Sequence, residues 1–484
     1  MKKLSGKRSL AILLALAVVV TQLGRDEPPA DAGVFEQATP GSYAEIWAPH
    51  SEYTGGIADE TTCTNTAANN SWYLEPVKGC PKTLTVTLPA DVGTATKAEL
   101  FLDVWVGRVD HIVRYSINGG PTRTVNAGYD NSRTPVVLDV PVTELQAGAN
   151  TVTFSVNNSK YHIHDMAFRL YGVGGTFPSG GSLNSVGGVS AAAGGVLDVT
   201  GTEQVTITAT VPGADRVEFI AYYDGYDEDN DGQTTDWHAF TRMNFNPGGK
   251  PSTGYTIPPE GGTIGHIGTD LNDGDDNYSV TWDTSLIASQ SGVKIKARAV
   301  KARSGGRLDI TDAIGGVSGS FEISRSSYLV EYFRDPDFTD FALHLDGTRP
   351  DSGTRSMDLP SDLSDWQSVQ MMGLYWGSPS ISWNGGTPTS AFNFINNGNP
   401  ANDDVWDLSV IDVDLGDLAA GTNEITYGYQ TEPYDYGQHI EEPGPMLIVK
   451  RAGELRIYQQ PQSQTALDGQ QVTLSVDTSS LAAV

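Results

Sequence analysis

Leu145-Gln146-Ala147-Gly148-Ala149-Asn150-Thr151-Val152-Thr153 decides the fold, because its pattern returns later in the chain as Leu418-Ala419-Ala420-Gly421-Thr422-Asn423-Glu424-Ile425-Thr426. In both copies a strand ends at Leu, a glycine turns the chain, and a new alternating strand begins after the turn. Working outward, Val137-Leu138-Asp139-Val140 precedes the first copy as Ile411-Asp412-Val413 precedes the second. Further upstream, Ser116-Ile117-Asn118-Gly119-Gly120 is matched by Ser382-Trp383-Asn384-Gly385-Gly386, and downstream His162-Ile163 is matched by His439-Ile440. The offset between copies is 266 residues at the Asn-Gly-Gly block and 273 at the later one, so the second copy carries an insertion between them. Asn-Gly-Gly supplies the positive φ values of a tight hairpin turn. Ordered blocks of this kind predict two copies of one β-rich module.

The rest of the chain agrees. Helical periodicity is almost absent, and alternating β-branched and aromatic runs recur with turn residues between them: Lys82 to Leu88, Ala98 to Val106, Gln204 to Val211, Val293 to Val300 and Glu424 to Tyr429. With 484 residues, 54 Gly and 26 Pro, the composition is that of several domains built from short strands and many turns. Gly172 to Gly195 is dominated by Gly, Ser and Ala, a flexible-linker composition. The reading is all-β: tandem β-sandwiches in the order jelly roll, Ig-like, jelly roll, with a truncated Ig-like start at the C-terminus. Its boundaries are a signal peptide at 1–32, a jelly-roll module at 33–173, a Gly/Ser linker at 174–185, an Ig-like calcium-binding module at 186–325, a jelly-roll module at 326–452 and a partial Ig-like domain at 453–484.

Lys2, Lys3, Lys7 and Arg8 precede an apolar run from Leu10 to Val20, which is too short to span a bilayer and reads as an export signal ending near Ala30-Asp31-Ala32. The expected localisation is secreted, with no membrane span in the mature chain. Thirty basic and 59 acidic residues give a net charge of −29, which disfavours nucleic acid and anionic lipid as partners and favours divalent cations. The chain's two cysteines, Cys63 and Cys80, lie in the first module, and in an exported protein they read as one disulfide.

With the repeated blocks, modules one and three resemble galactose-binding-domain-like jelly rolls, a likeness that covers about 35 residues of each and is more specific for fold than for ligand. Arg216-Val217-Glu218-Phe219, Gly268-Thr269-Asp270, Val280-Thr281-Trp282-Asp283-Thr284-Ser285 and the strand from Val293 to Ala299 make the middle module similar to a bacterial Ig-like domain. Ile457-Tyr458-Gln459-Gln460-Pro461 and Gln471-Val472-Thr473-Leu474-Ser475-Val476 look like the first strands of a further Ig-like domain. The resemblance implies a multi-module secreted bacterial protein, cut short here, whose Ig-like parts space the others.

Asp227-Glu228-Asp229-Asn230-Asp231-Gly232-Gln233-Thr234-Thr235-Asp236 is the sharpest motif. Alternate Asp carboxylates converge on one hard cation, Gly232 permits the sharp turn, and the Gln233 carbonyl adds an oxygen. The expected ligands are Asp227, Asp229, Asp231, Gln233 and Asp236, and the expected cofactor is Ca2+; His238 stands where an EF-hand would place its Glu. Asp270 to Asn277 reads equally as a second calcium site or a polar hairpin. His162 and His164, one residue apart, face one side of a strand and are weak metal ligands or polar groove residues. Among the aromatics of the third module, Tyr375, Trp376 and Trp383 are the candidates to stack on sugar rings. No catalytic residues are assigned, because the chain lacks a Gly-x-Ser-x-Gly elbow, a His-Glu-x-x-His and a phosphate-cradling loop, and paired carboxylates carry no signal at this acidity. The expected function is a non-catalytic extracellular array that binds polysaccharide or a cell-surface glycan. The alternatives are a secreted glycoside hydrolase or lyase, and a structural adhesin or surface-layer component.

Overall fold

Lys82-Thr83-Leu84-Thr85-Val86-Thr87-Leu88 shows how this chain makes sandwiches: Leu84, Val86 and Leu88 point into a core while the threonines alternate to the other face. The computed structural model describes residues 41–54, 57–59, 61–65, 73–106, 112–126, 133–157, 161–226, 234–238, 267–272, 274–334, 343–345, 352–376, 380–390, 406–428, 438–440, 446–452, 456–459 and 477–479. Within these the protein is almost entirely β, and no helix is long and apolar enough to cross a membrane.

The first and third sandwiches have the same strand order. In the first, one sheet runs Ser42–Trp47, Tyr161–Tyr171, Lys97–Val106, Arg133–Val140, and the facing sheet runs Lys82–Leu88, Gly148–Ser155, Ile112–Ile117, Arg123–Asn126. In the third, the corresponding orders are Tyr328–Arg334, Met446–Ala452, Trp366–Trp376, Trp406–Val413, and Ser352–Leu359, Gly421–Gly428, Ser380–Trp383, Thr389–Ser390. The repeated sequence blocks occupy equivalent places. Asn118 and Asn384 both open the hairpin turn with left-handed backbone, φ 50° and 49°. Each amide donates to the asparagine of the other block, Asn118 Nδ2 to Asn150 Oδ1 at 2.8 Å and Asn384 Nδ2 to Asn423 Oδ1 at 2.7 Å. Asn150 and Asn423 are fully buried, and each donates to the two carbonyls of its own glycine turn. The repeat is therefore a polar clamp that ties two turns together at one end of each sandwich.

The second sandwich packs Gln204–Thr210, Asn277–Asp283 and Ser182–Val186 against Arg216–Asp224, Gln290–Ala302 and Phe321–Ser324, with Ile207, Val217, Phe219, Trp282 and Ile295 in its core. It is fused to the first. The Ser42–Trp47 strand pairs with Tyr161–Tyr171 on one side and with Arg307–Thr311 of the second sandwich on the other, so one sheet of eleven strands crosses both. That strand is consequently buried on both faces: Ala44 and Ile46 enter the first core, while Tyr43 and Trp47 pack with Phe101, Tyr171, Val300 and Ile310. Buried ion pairs share this region, Arg169 with Glu45 at 2.9 Å and Arg298 and Arg216 with Glu218 at 2.6 and 2.9 Å.

The continuous sheet corrects the flexible-linker reading of the Gly-rich segment. Gly174 N–H donates to Asp91, the Thr176 carbonyl accepts from Arg303 Nη2 at 2.7 Å, and the Pro178 carbonyl accepts from Thr311 Oγ1 at 2.7 Å. Ser182–Val186 and Val189–Ser190 of the segment are paired strands. Its glycines serve close approach: a Cβ on Gly172, whose φ is +78°, would lie 2.9 Å from Thr96, and one on Gly181 would lie 2.7 Å from the Thr210 carbonyl. Small residues here signal tight packing, which composition alone does not distinguish from slack.

The third sandwich sits against the second through Tyr332 Oη, which donates to the Leu286 carbonyl at 3.0 Å and accepts from Ala288 N–H at 2.9 Å, and through Arg334 Nη2, which donates to Asp224 Oδ1 at 3.2 Å. Cys63 and Cys80 are joined in a disulfide with Cα atoms 5.4 Å apart. At the C-terminus Arg456–Gln459 pairs antiparallel with Asp477–Ser479; residues 1–40, where the sequence leads one to expect an export signal, lie outside the described residues.

Candidate functional site

Tyr161–Tyr171 runs through the middle of the first sandwich's larger sheet, and its start, with the end of Lys97–Val106, forms one rim of the sandwich. Cross-strand register there places His162 opposite Trp105. A β-bulge between Ile163 and Asp165 makes His164 the extra residue and brings Asp165 opposite Asp103. A short segment around Leu74 adds a third backbone to the rim: Leu74 and Ile163 exchange both amide hydrogen bonds, at 2.9 Å each. That bridge sets Tyr73 and Glu75 beside the histidines.

The side chains converge. The Tyr73 ring stacks on the His162 imidazole, centroids 4.1 Å apart and planes 17° apart, and the Trp105 ring is tilted at 41° to the same imidazole, centroids 4.5 Å apart. Glu75 Oε2 lies 3.2 Å from His162 Nε2, and the His164 ring is 5.8 Å from that of His162. His162 and Glu75 are partly accessible at 16% and 13%, whereas His164, Asp165 and Asp103 are buried beneath them. Nearby, Tyr53 is buried, and burial first, then the charges of Asp165 and Asp103, push its hydroxyl well above the usual tyrosine range, so it remains a proton donor. Trp105 belongs to an apolar cluster with Tyr226 of the second sandwich and with Val330, Met372, Met446 and Ile448 of the third. The site therefore stands where all three sandwiches meet. Chemically it offers flat rings, a carboxylate–imidazole pair and a floor of buried acids.

The third sandwich repeats the placement. Register sets His439 opposite Trp376, as His162 is set opposite Trp105, and the Leu343–Leu345 strand stands beside them as the Leu74 segment does in the first. Tyr375 and Trp376 end the central Trp366–Trp376 strand, where the backbone register sets them opposite Asp407 and Trp406, and the side chains of both lie outside the described residues. Trp383 is a correction. It is 4% exposed and packs in the third core with Met371, Ile381 and Ile425, so its ring is a packing element and presents no face to a sugar. Tyr73, Glu75 and Trp105 are not among the residues singled out from sequence; the signal that could have found Trp105 is that a tryptophan lies at the end of a strand upstream of each Asn-Gly-Gly block, Trp105 before Asn118 and Trp376 before Asn384.

Asp227, Asp229, Asp231 and Gln233 of the acidic motif lie outside the described residues. Its flanks are paired: Asp224 is opposite Thr235 and Gly225 N–H donates to the Thr234 carbonyl at 2.6 Å, so the motif connects two antiparallel neighbouring strands. Asp236 is in the return strand, 5% exposed, with Oδ1 accepting from Trp237 N–H at 2.7 Å. In the second acidic stretch the oxygens are engaged in turns: Asp270 accepts from Ser279 N–H at 2.6 Å, Asp275 from Asn277 N–H at 2.9 Å, and Asp276 from Gly213 N–H at 3.1 Å. Among the described residues no three His, Cys, Asp or Glu side chains are grouped to hold a metal.

No protein-family model matches the chain, and no curated protein does. Solved structures similar to it include a β-porphyranase of glycoside hydrolase family 86 from Bacteroides plebeius, at 10% identity and TM-score 0.21 over 51% of this chain and 35% of that one. The glycoside hydrolase domain of Endo-D from Streptococcus pneumoniae R6 is similar at 9% identity and TM-score 0.22 over 51% and 32%. PNGase F, a glycosylasparaginase from Flavobacterium meningosepticum, is similar at 9% identity and TM-score 0.16 over 84% and 96%. The chain spans about a third of the length of the two glycoside hydrolases it matches.

Proposed function

We propose that this chain is a secreted, non-catalytic array of β-sandwiches that binds extracellular polysaccharide through the rim of its first sandwich. The observation that carries the reading is the half-buried Tyr73 ring, backed on one face by the His162 imidazole, with the Glu75 carboxylate at that imidazole's edge. A sugar ring has an apolar CH face and a belt of hydroxyls. Aromatic planes take the first, and a carboxylate and an imidazole take the second as acceptor and donor. The loop tips that surround such a rim are where sandwiches carry binding residues. In the same reading the acidic hairpin tip of the second sandwich binds Ca2+ through Asp227, Asp229, Asp231, the Gln233 carbonyl and Asp236. The cation cancels the mutual repulsion of four carboxylates and steadies a hairpin whose first strand runs into Tyr226, a member of the three-sandwich cluster.

The test is retention of the full mature chain on insoluble plant, algal and microbial polysaccharides, followed by a glycan array, in millimolar calcium. Tyr73→Ala should weaken the retained interaction at least tenfold, about 1.4 kcal/mol. Release of reducing sugar from any of these substrates would favour an enzyme instead, and capture only by cells or by other copies of the chain would favour an adhesin. Wild-type retention that Tyr73→Ala leaves unchanged would remove the rim from the proposal.

A further inference from the structure

The rim of the first sandwich and the joint that holds the third have one residue in common. Trp105, in the strand Lys97–Val106, has its ring 4.5 Å from the His162 imidazole, which also stacks on the Tyr73 ring at 4.1 Å. The same tryptophan belongs to the apolar cluster to which the second sandwich contributes Tyr226 and the third contributes Val330, Met372, Met446 and Ile448. We propose that docking of the third sandwich positions Trp105 and, through it, the His162–Tyr73 pair, so that glycan binding at the rim and docking of the third sandwich strengthen one another. The ligand in this proposal rests on the glycan reading; the coupling rests on the joint alone.

Three observations support it. First, the cluster is built from faces that the separate sandwiches do not use for their own cores. Met371 and Met372 are neighbours on one strand, and alternation sends Met371 into the third core and Met372 into the shared cluster. On the paired strand Leu447 and Val449 enter the third core, while Met446 and Ile448 join the cluster. In the first sandwich Val104 and Val106 enter the core and Trp105 turns away from it. These outward side chains lose their shared cover when the third sandwich leaves, and an apolar patch of this kind is a contact surface. Second, the polar ties of the joint are modest. Tyr332 Oη joins the Leu286–Ala288 loop, and Arg334 Nη2 meets Asp224 Oδ1 at 3.2 Å with the two side chains 34% and 42% exposed. An ion pair so exposed adds little, which leaves docking dependent on the apolar cluster that holds Trp105. Third, the route to the sugar face is contiguous. His162 is 16% exposed, and its ring is held by Tyr73 at 17° and by Trp105 at 41°. Packed rings settle in discrete arrangements and do not deform continuously. A Trp105 released from the cluster therefore frees His162, and Tyr73 loses its flat backing. A sugar stacked on Tyr73 holds the same row from its other end, and linkage makes the effect reciprocal.

The experiment uses the full mature chain and Met372→Asp, which sets a charge in the cluster and leaves Met371 in the third core. Docking is read by hydrogen exchange of the Ala288 amide, which donates to Tyr332 Oη of the third sandwich. The rim is read by the rate at which diethyl pyrocarbonate modifies His162 and by retention on polysaccharide. Met372→Asp should speed Ala288 exchange about tenfold, raise the His162 modification rate severalfold and weaken retention about tenfold, within the usual range for coupled sites. Trp105→Ala should reproduce these effects, including faster Ala288 exchange, and Trp105→Phe, which keeps a ring in place, should recover most of them. Tyr73→Ala should weaken retention and leave Ala288 exchange in the free chain unchanged. Calorimetry shows whether Met372→Asp has a folded third sandwich; if it does not, Ala288 exchange in Trp105→Ala decides. The proposal is overturned if folded Met372→Asp protects Ala288 as the wild type does, if it releases Ala288 but leaves His162 reactivity unchanged, or if Trp105→Ala leaves Ala288 exchange unchanged. None of these readouts needs a glycan, so a chain that retains no polysaccharide refutes the glycan reading and leaves the coupling to be judged by Ala288 and His162.

Discussion

Asn423→Ala should undo the clamp on which the third sandwich's turns depend. Asn423 is fully buried and makes four hydrogen bonds: its Oδ1 accepts from Asn384 Nδ2 at 2.7 Å and from Ala419 N–H at 2.8 Å, and its Nδ2 donates to the carbonyls of Ala419 at 2.7 Å and Gly421 at 2.8 Å. A typical intramolecular hydrogen bond contributes a net of about 1 kcal/mol, and the loop at Ala419 is exposed enough for water to replace some of the lost partners. The expected loss is therefore about 3 kcal/mol, a drop of about 10 °C in the melting of a sandwich this size. Asn423→Asp keeps the acceptor and sets a carboxylate against the two carbonyls. Its charged form is disfavoured in the fold, which raises the folded pKa above the unfolded value near 3.9. The variant should accordingly be least stable at pH 7 and recover as pH falls through that raised pKa, where the protonated carboxyl can donate to one carbonyl. Chemical denaturation and calorimetry of the full chain, with the exposed neighbour Glu424→Ala as control, measure both. The clamp reasoning fails if Asn423→Ala and its counterpart Asn150→Ala both stay within about 0.5 kcal/mol of wild type, the range of ordinary surface substitutions.

Removing the Cys63–Cys80 bond by a double serine replacement should cost about 3 kcal/mol on a loop-entropy argument, and denatured, unreduced wild type should show no free thiol; two thiols per chain would contradict the bond. Arg169→Ala, which strands the buried Glu45, should destabilise the fused first and second sandwiches by about 3–5 kcal/mol, with Arg169→Met/Glu45→Leu recovering much of it; equal losses in the single and double variants would show that packing rather than charge is at stake. Calcium at a hundredfold excess over its Kd should stabilise the second sandwich by about 2.7 kcal/mol in a melting experiment reversed by EDTA, and Asp229→Ala should abolish the response. If wild type and Asp229→Ala melt alike with and without calcium, the hairpin tip is only a solvated turn.

The all-β class, the disulfide and the repeat could be read from the chain because each depends on local order. Alternation marks a strand by itself, as at Lys82 to Leu88, and Asn-Gly-Gly marks a turn by itself. Even the recurrence of His162-Ile163 at His439-Ile440 was visible, since equivalent strands keep equivalent residues. What escaped was whatever two distant segments decide together. Trp383 reads from sequence as a candidate to stack on a sugar, yet it is buried in the core, because alternation fixes that faces differ but not which face another sheet will cover. The Gly-rich segment from Gly172 looked slack, but its glycines admit Thr96 and the Thr210 carbonyl at distances no Cβ would allow. Likewise Tyr43, Glu45 and Trp47 should have faced solvent in an edge strand. Only the pairing of Ser42–Trp47 with Arg307–Thr311, more than 250 residues away, buries them and joins two sandwiches into one sheet. Sequence alone determined which segments are strands and where the chain turns, because backbone geometry and side-chain alternation are local. Tertiary structure alone decided which faces are wet and which residues meet at the rim, because burial belongs to the partner a face finds and not to the strand that carries it.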